Sequence, residues 1–279
     1  MVTKIKNAID SYRPDTIMVH SDIVKASGFV TFDANSKIWL NKHIEILEQF
    51  CDRELIFASF NYDFLKNGVY RPENDVVQIG VLNEFARKNW ATWRSLMPVF
   101  NVLGKNKIGF LENILNDDVL DPFDELSIFG YLYKKDALIL QYGAPFSSFT
   151  GIHYVENLSS RPPYRYDKYF KGTIAASKFL NKNIKITLNY HVRPLGINLN
   201  YDWDRLYKIS LKEGIIKQFT GRRINVNIFS FKEIVDFLLD KVRDDKLFLL
   251  NTQSKNTVEP LLDKLGRRFV LSDFEVINE

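Results

Sequence analysis

The sequence predicts an α/β fold, a layered domain in which a central mixed β-sheet is flanked by helices. Short apolar runs typical of strands alternate along the chain with segments of helical apolar spacing. The 279 residues, 46% of them hydrophobic, suffice to bury one full core. We therefore predict one domain over residues 1–279, with a small C-terminal subdomain from about 195 as the open alternative.

The first half of the chain contains two units of strand, loop and helix. A polar segment with a glycine, residues 20–28, separates the first strand from its helix, and Arg71-Pro72 lies in the long loop of the second unit. The charged, amphipathic segment 1–13 is predicted as a helix, not a signal peptide. The predicted elements are a helix over 1–13, a strand over 16–19, a helix over 36–50, a strand over 54–60 and a helix over about 79–88.

The second half continues the alternation. Asp121-Pro122 predicts a helix start, because the acid caps the first turn and the proline fits into it. Ser230 and Glu233 have the spacing of a capping box. The predicted elements are a helix from 121 through 133, strands over 137–141, 184–191 and 224–229, and a helix from 230 to 242, with a break at 161–164.

Composition excludes several classes of protein. The net charge is +4 with acids and bases interspersed, which does not favour binding to nucleic acid or to an anionic membrane but is compatible with a phosphate-bearing ligand. No apolar run has the length of a membrane span, so membrane insertion is not expected. The single Cys51 excludes an internal disulfide, and no cluster has metal-site spacing. We expect a cytoplasmic protein without a metal.

An imidazole and a carboxylate lie one helical turn apart in residues 149–156. If this segment is helical, His153 and Glu156 share a face at i and i+3. The carboxylate then binds one ring nitrogen and leaves the other free to accept a proton. The alternative is a histidine satisfied within the fold beside a surface glutamate.

Four segments occur in the order of a known family. They are residues 20–28 with its His-Ser start, the Gly-x-Leu-x-Glu run at 80–84 with the Arg-Ser-x-x-Pro turn at 94–98, the Asp-Pro-Phe run from 121, and Thr-x-x-His-x-x-Glu at 150–156. Together they resemble the aminoglycoside 3-N-acetyltransferase family, over about residues 13–193. Two positions depart from the family pattern: Asp22 stands where a hydroxyl is usual, and Met97 replaces a histidine.

The resemblance implies acetyl-CoA, or another acyl-CoA, as cofactor. A loop of hydroxyls and free backbone amides that ends in glycine suits anions such as the cofactor's phosphates. The ordinary alternatives are a strand-to-helix turn at this loop and a structural bridge at the arginine. The cofactor contacts that the resemblance implies are His20, Ser21, Ser27, Gly28, Arg94 and Ser95.

The resemblance also implies an acyltransferase with His153 as general base. The histidine takes a proton from an amine, Glu156 fixes its tautomer, and Thr150 with nearby amides stabilises the oxyanion. His191 and Arg193, at the end of a predicted strand, are left out of the catalytic set, because such a histidine more often packs within the fold.

For the acceptor, we predict an amino sugar. The chain is net basic, and a basic segment with tyrosines, which includes Arg161, Lys168 and Lys171, suits a phosphate-bearing acceptor. The hypothesis is a sugar linked to a nucleotide diphosphate, as in surface polysaccharide synthesis, with Tyr164 or Tyr166 stacked on its base. The predicted substrate contacts are Tyr62, Glu84, Tyr164, Arg165 and Tyr166.

Other functions stay open. The acceptor is alternatively an aminoglycoside, and the basic segment is alternatively a solvated loop. A glycosyltransferase requires an acidic metal motif, for which Asp202-Trp203-Asp204 is the only near match, and we interpret it as a helix cap. A non-enzymatic binding module would depend on residues 161–171. The predicted partner is a small-molecule amino sugar, without nucleic acid, and the protein is a monomer or a homodimer.

Overall fold

The computed structural model describes residues 1–50, 54–106 and 114–275. Cys51 lies outside these residues, so the predictions made for it have no structural counterpart here. None of the described helices combines the length and the apolar character that crossing a membrane requires.

A mixed sheet forms the centre of the molecule, with seven strands in the described part of the chain and the order β10-β11-β7-β1-β2-β5-β4. Strand β1 is parallel to both of its neighbours, β2 and β7, and the other pairs are antiparallel. The predicted fold class is thereby confirmed. The strands of the chain are β1 (Thr16–Ser21), β2 (Glu54–Ala58), β3 (Val69–Tyr70), β4 (Trp93–Arg94), β5 (Val102–Gly104), β6 (Asp118–Leu120), β7 (Leu138–Tyr142), β8 (Tyr166–Ile174), β9 (Ile184–Val192), β10 (Lys217–Gly221) and β11 (Ile224–Ser230).

The central strands are apolar throughout because both faces of the sheet are covered. Successive side chains of a strand point to opposite faces. Met18 accordingly packs into one hydrophobic cluster, while Ile17 and Val19 pack into the other. All three are fully buried. This burial on two faces explains why β1 and its parallel neighbours read as continuous apolar runs in the sequence.

A second sheet has the order β3-β8-β9-β6 among the described residues. Its centre is the antiparallel pair β8 and β9, in register from Tyr166 opposite Val192 to Ile174 opposite Ile184. This register brings the start of β8 beside the end of β9. The residues around position 165 therefore lie close to those around position 191.

Helices pack against these sheets and are capped where the sequence indicated. Ser230 Oγ accepts a hydrogen bond from the backbone N of Glu233 at 2.9 Å, and Asp202 Oδ1 accepts one from the backbone N of Arg205 at 3.2 Å. The interpretation of 202–204 as a helix cap is correct. The helices are α1 (Val2–Tyr12), α2 (Ser36–Glu48), α3 (Phe64–Asn67), α4 (Val81–Asn89), α5 (Ile128–Lys134), α6 (Ile152–Leu158), α7 (Trp203–Lys212), α8 (Phe231–Asp244) and α9 (Thr252–Leu265).

One predicted helix start is wrong. Helix α5 begins at Ile128 rather than at Asp121-Pro122, and its cap is Ser127, whose Oγ accepts from the backbone N of Gly130 at 3.2 Å. Asp121 instead closes a turn, because its carboxylate accepts from the backbone N of Phe123 at 2.8 Å. Asp-Pro is as typical of turns as of helix starts, and the local sequence does not separate the two.

Candidate active site

The His153 segment follows β7 and forms helix α6, as predicted. Gly151 directly precedes this helix, and a Cβ at that position would lie 2.5 Å from ring carbons of Phe149 and Phe231. Only glycine allows such a close approach. His153 and Glu156 consequently project from the first turns of a helix whose start is fixed by aromatic packing, and Nδ1 of the histidine lies 2.9 Å from Oε2 of the glutamate.

Glu156 is the centre of a buried hydrogen-bond network. Its side chain is only 1% exposed, so its oxygens depend on protein donors. Five side chains bond to the carboxylate, two at Oε2 and three at Oε1. The bonds are His153 Nδ1 (2.9 Å) and His191 Nε2 (3.0 Å) to Oε2, and Tyr164 Oη (2.9 Å), Arg165 Nε (3.1 Å) and Tyr201 Oη (2.8 Å) to Oε1.

This network keeps Glu156 ionised. Burial alone would raise the pKa of the carboxyl, but the charge of Arg165 and the hydrogen bonds from the two histidines outweigh it and hold the pKa well below its ordinary value. An ionised carboxylate only accepts hydrogen bonds, so each imidazole nitrogen facing it carries a proton. Glu156 therefore fixes the tautomers of His153 and His191.

His153 has the properties of a general base. With the proton on Nδ1, its Nε2 is unprotonated, and no described residue forms a hydrogen bond to that atom. The side chain is 21% exposed and lines a cavity. Burial lowers the pKa of His153. Glu156 opposes this shift, and the charges of Arg165 and Arg193 add to it, so that the pKa stays below its ordinary value and the ring is neutral at pH 7. A free lone pair thus faces the cavity.

The structure adds two residues that sequence reasoning did not place in the site. His191 is buried on β9, its pKa is lowered to about 4 by burial, and its Nδ1 has no partner among the described residues. Tyr201 lines the cavity beside His153. Its Oη also lies 3.1 Å from His153 Nδ1 and accepts from Arg165 Nη2 at 2.7 Å. The sequence predicted that His191 lies at the end of a strand. It did not predict the register of β8 and β9, which places His191 next to Glu156.

Two cavities meet beside the histidine. The His153 cavity has a volume of about 450 Å³ and is bounded by His153, Arg165, Tyr190, His191, Arg193 and Trp203, among others. The His20 cavity has a volume of about 260 Å³ and is bounded by His20, Ser21, Gly80, Asn83 and Ser148, among others. Both are lined by Tyr62, Ser147 and Thr150. The shared residues give two ligands a place to meet.

Of the predicted cofactor residues, His20 and Ser21 line the His20 cavity. Burial lowers the pKa of His20 to about 4, so its ring is neutral, and Ser21 Oγ donates to Asn83 Oδ1 at 2.6 Å. Ser27 and Gly28 line neither cavity. Ser27 Oγ donates to the carbonyl of Val24 at 2.8 Å, and a Cβ at Gly28 would lie 2.3 Å from the carbonyl oxygen of Arg222. The structure brings only the first two residues of this set to the site.

Arg94 and Ser95 are buried and line neither cavity. The Arg94 guanidinium donates to Asn101 Oδ1 at 2.9 Å and to the carbonyl of Ser59 at 2.7 Å. Ser95 Oγ accepts from the backbone N of Val102 at 3.0 Å. Arg94 therefore forms a structural bridge within the fold, which was the alternative to the predicted cofactor contact.

The predicted substrate residues divide similarly. Tyr62 lines both cavities, and Arg165 lines the His153 cavity although its side chain is bound to Glu156. Glu84 lines neither and pairs with Arg87 and Lys88 on α4.

The proposed base-stacking tyrosines require correction. Tyr164 and Tyr166 are each 1% exposed and bond through Oη to Glu156 and Glu275, so neither ring face is open to a nucleotide base. The predicted basic segment is likewise engaged. Three of its charges are paired within the fold: Arg161 with Asp121 and Asp167, Arg165 with Glu156, and Lys168 with Glu275. Lys171 is exposed.

The same cluster has the spacing of a metal site but not its chemistry. One ligand atom from each of His153, Glu156 and His191 lies within 4.8 Å of the others. Arg165 and two tyrosines already donate to the carboxylate, together with both histidines. A carboxylate that accepts five hydrogen bonds has no free position facing a cation, so the arrangement suits proton transfer.

The profile of the aminoglycoside 3-N-acetyltransferase family matches residues 59–243. The chain belongs to this family. The family resemblance drawn from the sequence is thereby confirmed. A search of the curated proteins gave no match.

Several solved structures share the fold of this chain. A binary complex of AAC-IIIb with CoASH is 17% identical, covers 88% of this chain and 96% of its own, and superimposes with a TM-score of 0.66. AAC(3)-Xa is 15% identical, with coverage of 89% and 93% and a TM-score of 0.64. The YokD protein from Bacillus subtilis is 16% identical, with coverage of 88% and 93% and a TM-score of 0.61. The expected cofactor, acetyl-CoA, agrees with the first of these complexes.

Proposed function

We propose that this protein transfers the acetyl group of acetyl-CoA to the amine of an amino sugar. One observation carries the proposal: His153 presents an unprotonated Nε2 to a cavity while Nδ1 is held by the ionised Glu156. Family membership supports the reaction class.

The reaction needs a base because the acceptor amine is protonated at neutral pH, with a pKa of ~10 for an alkylamine. His153 Nε2 removes one proton, and the nitrogen lone pair attacks the thioester carbonyl. As the tetrahedral intermediate collapses, the C–N bond is retained, the C–S bond breaks, and the second nitrogen proton leaves with the thiol of coenzyme A. Glu156 stabilises the imidazolium that forms in the first step.

The two cavities support distinct positions for the two substrates. The pantetheine arm would occupy the His20 cavity and the acceptor the His153 cavity, so that the thioester and the amine meet beside Thr150. The hydroxyl of Thr150 makes only a long bond of 3.4 Å, to the carbonyl of Ser148. It remains available to donate to the developing oxyanion.

Among named acceptors, the comparisons favour an aminoglycoside over the nucleotide-linked sugar of the sequence hypothesis. Related structures contain a gentamicin, apramycin or sisomicin. Tyr164 and Tyr166, assigned to a nucleotide base, are buried, and Arg161, Arg165 and Lys168 of the basic segment are paired within the fold. The role in surface polysaccharide synthesis stays a prediction.

The test is release of the coenzyme A thiol from acetyl-CoA, measured with aminoglycosides and with nucleotide-linked amino sugars in parallel. We expect amine-dependent thiol release and a product heavier by one acetyl group in mass spectrometry. Thiol release that does not depend on an amine, or no acetylated product with either acceptor class, would contradict the proposal.

A further inference from the structure

The charge of the His153 cavity is unusual for a site that receives a polycation. Its described lining residues include two arginines and several hydroxyls but no carboxylate. Glu156, which binds the two lining histidines, is fully buried and paired with Arg165. The described lining residues of this cavity therefore offer no negative charge to an acceptor with several ammonium groups.

Arg193 is the unpaired charge of this cavity. It directly follows β9, is exposed, and forms no ion pair or hydrogen bond with any described residue. Arg161 and Arg165, by contrast, each bind an acid of the fold. The charge of Arg193 contributes to lowering the pKa of His153, so the guanidinium lies within electrostatic range of the base.

Two phenols extend this donor surface. Tyr62 and Tyr190 line the same cavity, and their hydroxyls have no hydrogen-bond partner in the described part of the chain. Both pack on Phe100, with ring centroids 6.0 Å and 5.8 Å away. Burial raises the pKa of both phenols, to about 12 for Tyr190, so they remain donors at neutral pH.

We propose that the acceptor amine belongs to a molecule that also carries an anionic group, a phosphate or a carboxylate, which Arg193 binds. This inference rests on the proposed acetyl transfer to an amino sugar. On the charge of the cavity, it selects an anionic acceptor over the polycationic aminoglycosides found in the related structures. The planar guanidinium donates two parallel hydrogen bonds to either anion, and the free phenols supply further donors. The anion also compensates a charge that otherwise stands unpaired beside the incoming ammonium group.

The experiment measures binding by calorimetry with coenzyme A at saturation, so that the cofactor's own phosphate contacts are filled. The phosphate arm compares glucosamine 6-phosphate with glucosamine, and the carboxylate arm compares glucuronate with glucose. Gentamicin is the polycationic probe. The proteins are wild type, Arg193→Gln and the matched control Arg243→Gln, an exposed arginine on α8 that lines neither cavity.

We expect at least one anionic sugar to bind wild type and Arg243→Gln about tenfold tighter than its neutral counterpart, equivalent to ~1.4 kcal/mol. In Arg193→Gln this preference should fall below about threefold. Equal binding of both members in each pair, a preference that persists in Arg193→Gln, or tighter binding of gentamicin than of either anionic sugar would overturn the inference.

Thiol release is measured separately on the same proteins. One outcome would support the anion site and contradict acetyl transfer: Arg193→Gln loses the anion preference, but wild type shows no amine-dependent thiol release. Amine-dependent thiol release by wild type without any anion preference would support acetyl transfer and contradict the anion site.

Discussion

Nε2 of His191 and Nδ1 of His153 bind the same oxygen of Glu156, at 3.0 Å and 2.9 Å. One carboxylate oxygen therefore orients the base and anchors a second imidazole that has no other partner in the described structure. The consequence is that the position of His153 depends on a residue 38 positions further along the chain. It follows that the candidate base is positioned by β9 as well as by its own helix.

The first prediction concerns the pH dependence of catalysis. The rate constant kcat/KM should rise with pH as His153 loses its proton, and the midpoint should lie below the ordinary histidine value of about 6.5, because burial lowers the pKa. The profile is measured from pH 4.5 to 8 by thiol release. A rising limb centred above pH 7, with no limb in the acid range, would argue against His153 as the titrating base.

The second prediction concerns His191 as a positioning residue. His191→Phe removes one donor to the buried Glu156 and should cost about 1–3 kcal/mol of unfolding free energy. Turnover should fall by less than in a variant of His153, and the acid limb of the pH profile should move, since the carboxylate that orients the base is altered. His191→Asn, which keeps a donor, should restore part of the loss. An unchanged pH profile in both variants would assign His191 to packing alone.

The third prediction concerns acid stability. The chain has four histidines, and the pKa of His20, His43 and His191 is lowered to about 4 by burial. The unfolded chain, with histidines near 6.5, binds more protons than the folded chain below that pH, so stability falls as pH falls. The depressed pKa of Glu156 acts in the same direction once the pH falls below the ordinary carboxyl value of 4.5.

Over pH 6.5 to 4, each of the three histidines contributes up to ~3 kcal/mol to the loss. Urea unfolding at pH 7.5, 6.0 and 4.5 measures it, and the midpoint should decrease at each step. A constant midpoint across this range would mean that the buried histidines titrate as they do in the unfolded chain.

The fourth prediction concerns Gly151. In Gly151→Ala the new methyl group meets ring carbons of Phe149 and Phe231 at 2.5 Å, which should destabilise the fold by about 1–3 kcal/mol and displace helix α6 with its histidine. Gly221→Ala is the control, because its nearest atom lies 3.5 Å away, at an ordinary contact distance. Equal unfolding free energies and turnover in both variants would show that the helix start tolerates movement.

Local sequence patterns predicted much of the fold. The apolar run of β1 and the caps Ser230 and Asp202 are local signals, and the structure has them where the sequence indicated. Asp121-Pro122 failed because its local chemistry is shared by turns and helix starts. The single-domain organisation stays a prediction.

The sequence predicted only those contacts of the site that join residues close together in the chain. His153 and Glu156 share one helical turn, so their contact follows from spacing. Tyr201 and His191 reach the carboxylate through strand register and loop packing over 45 and 35 positions, which no local pattern contains. Tyr164 was assigned to a ligand because the sequence does not distinguish an aromatic residue that lines a cavity from one that supports the site. In the structure, Tyr164 donates a hydrogen bond to Glu156 instead.

The most direct test of the account is turnover of His153→Gln with acetyl-CoA and an acceptor that wild type acetylates. We expect native folding by circular dichroism, unchanged affinity for coenzyme A by calorimetry, and turnover lower by ~10²–10⁴, the range of general-base catalysis. Turnover within about threefold of wild type, with folding and coenzyme A affinity intact, would contradict the role of His153 as the base.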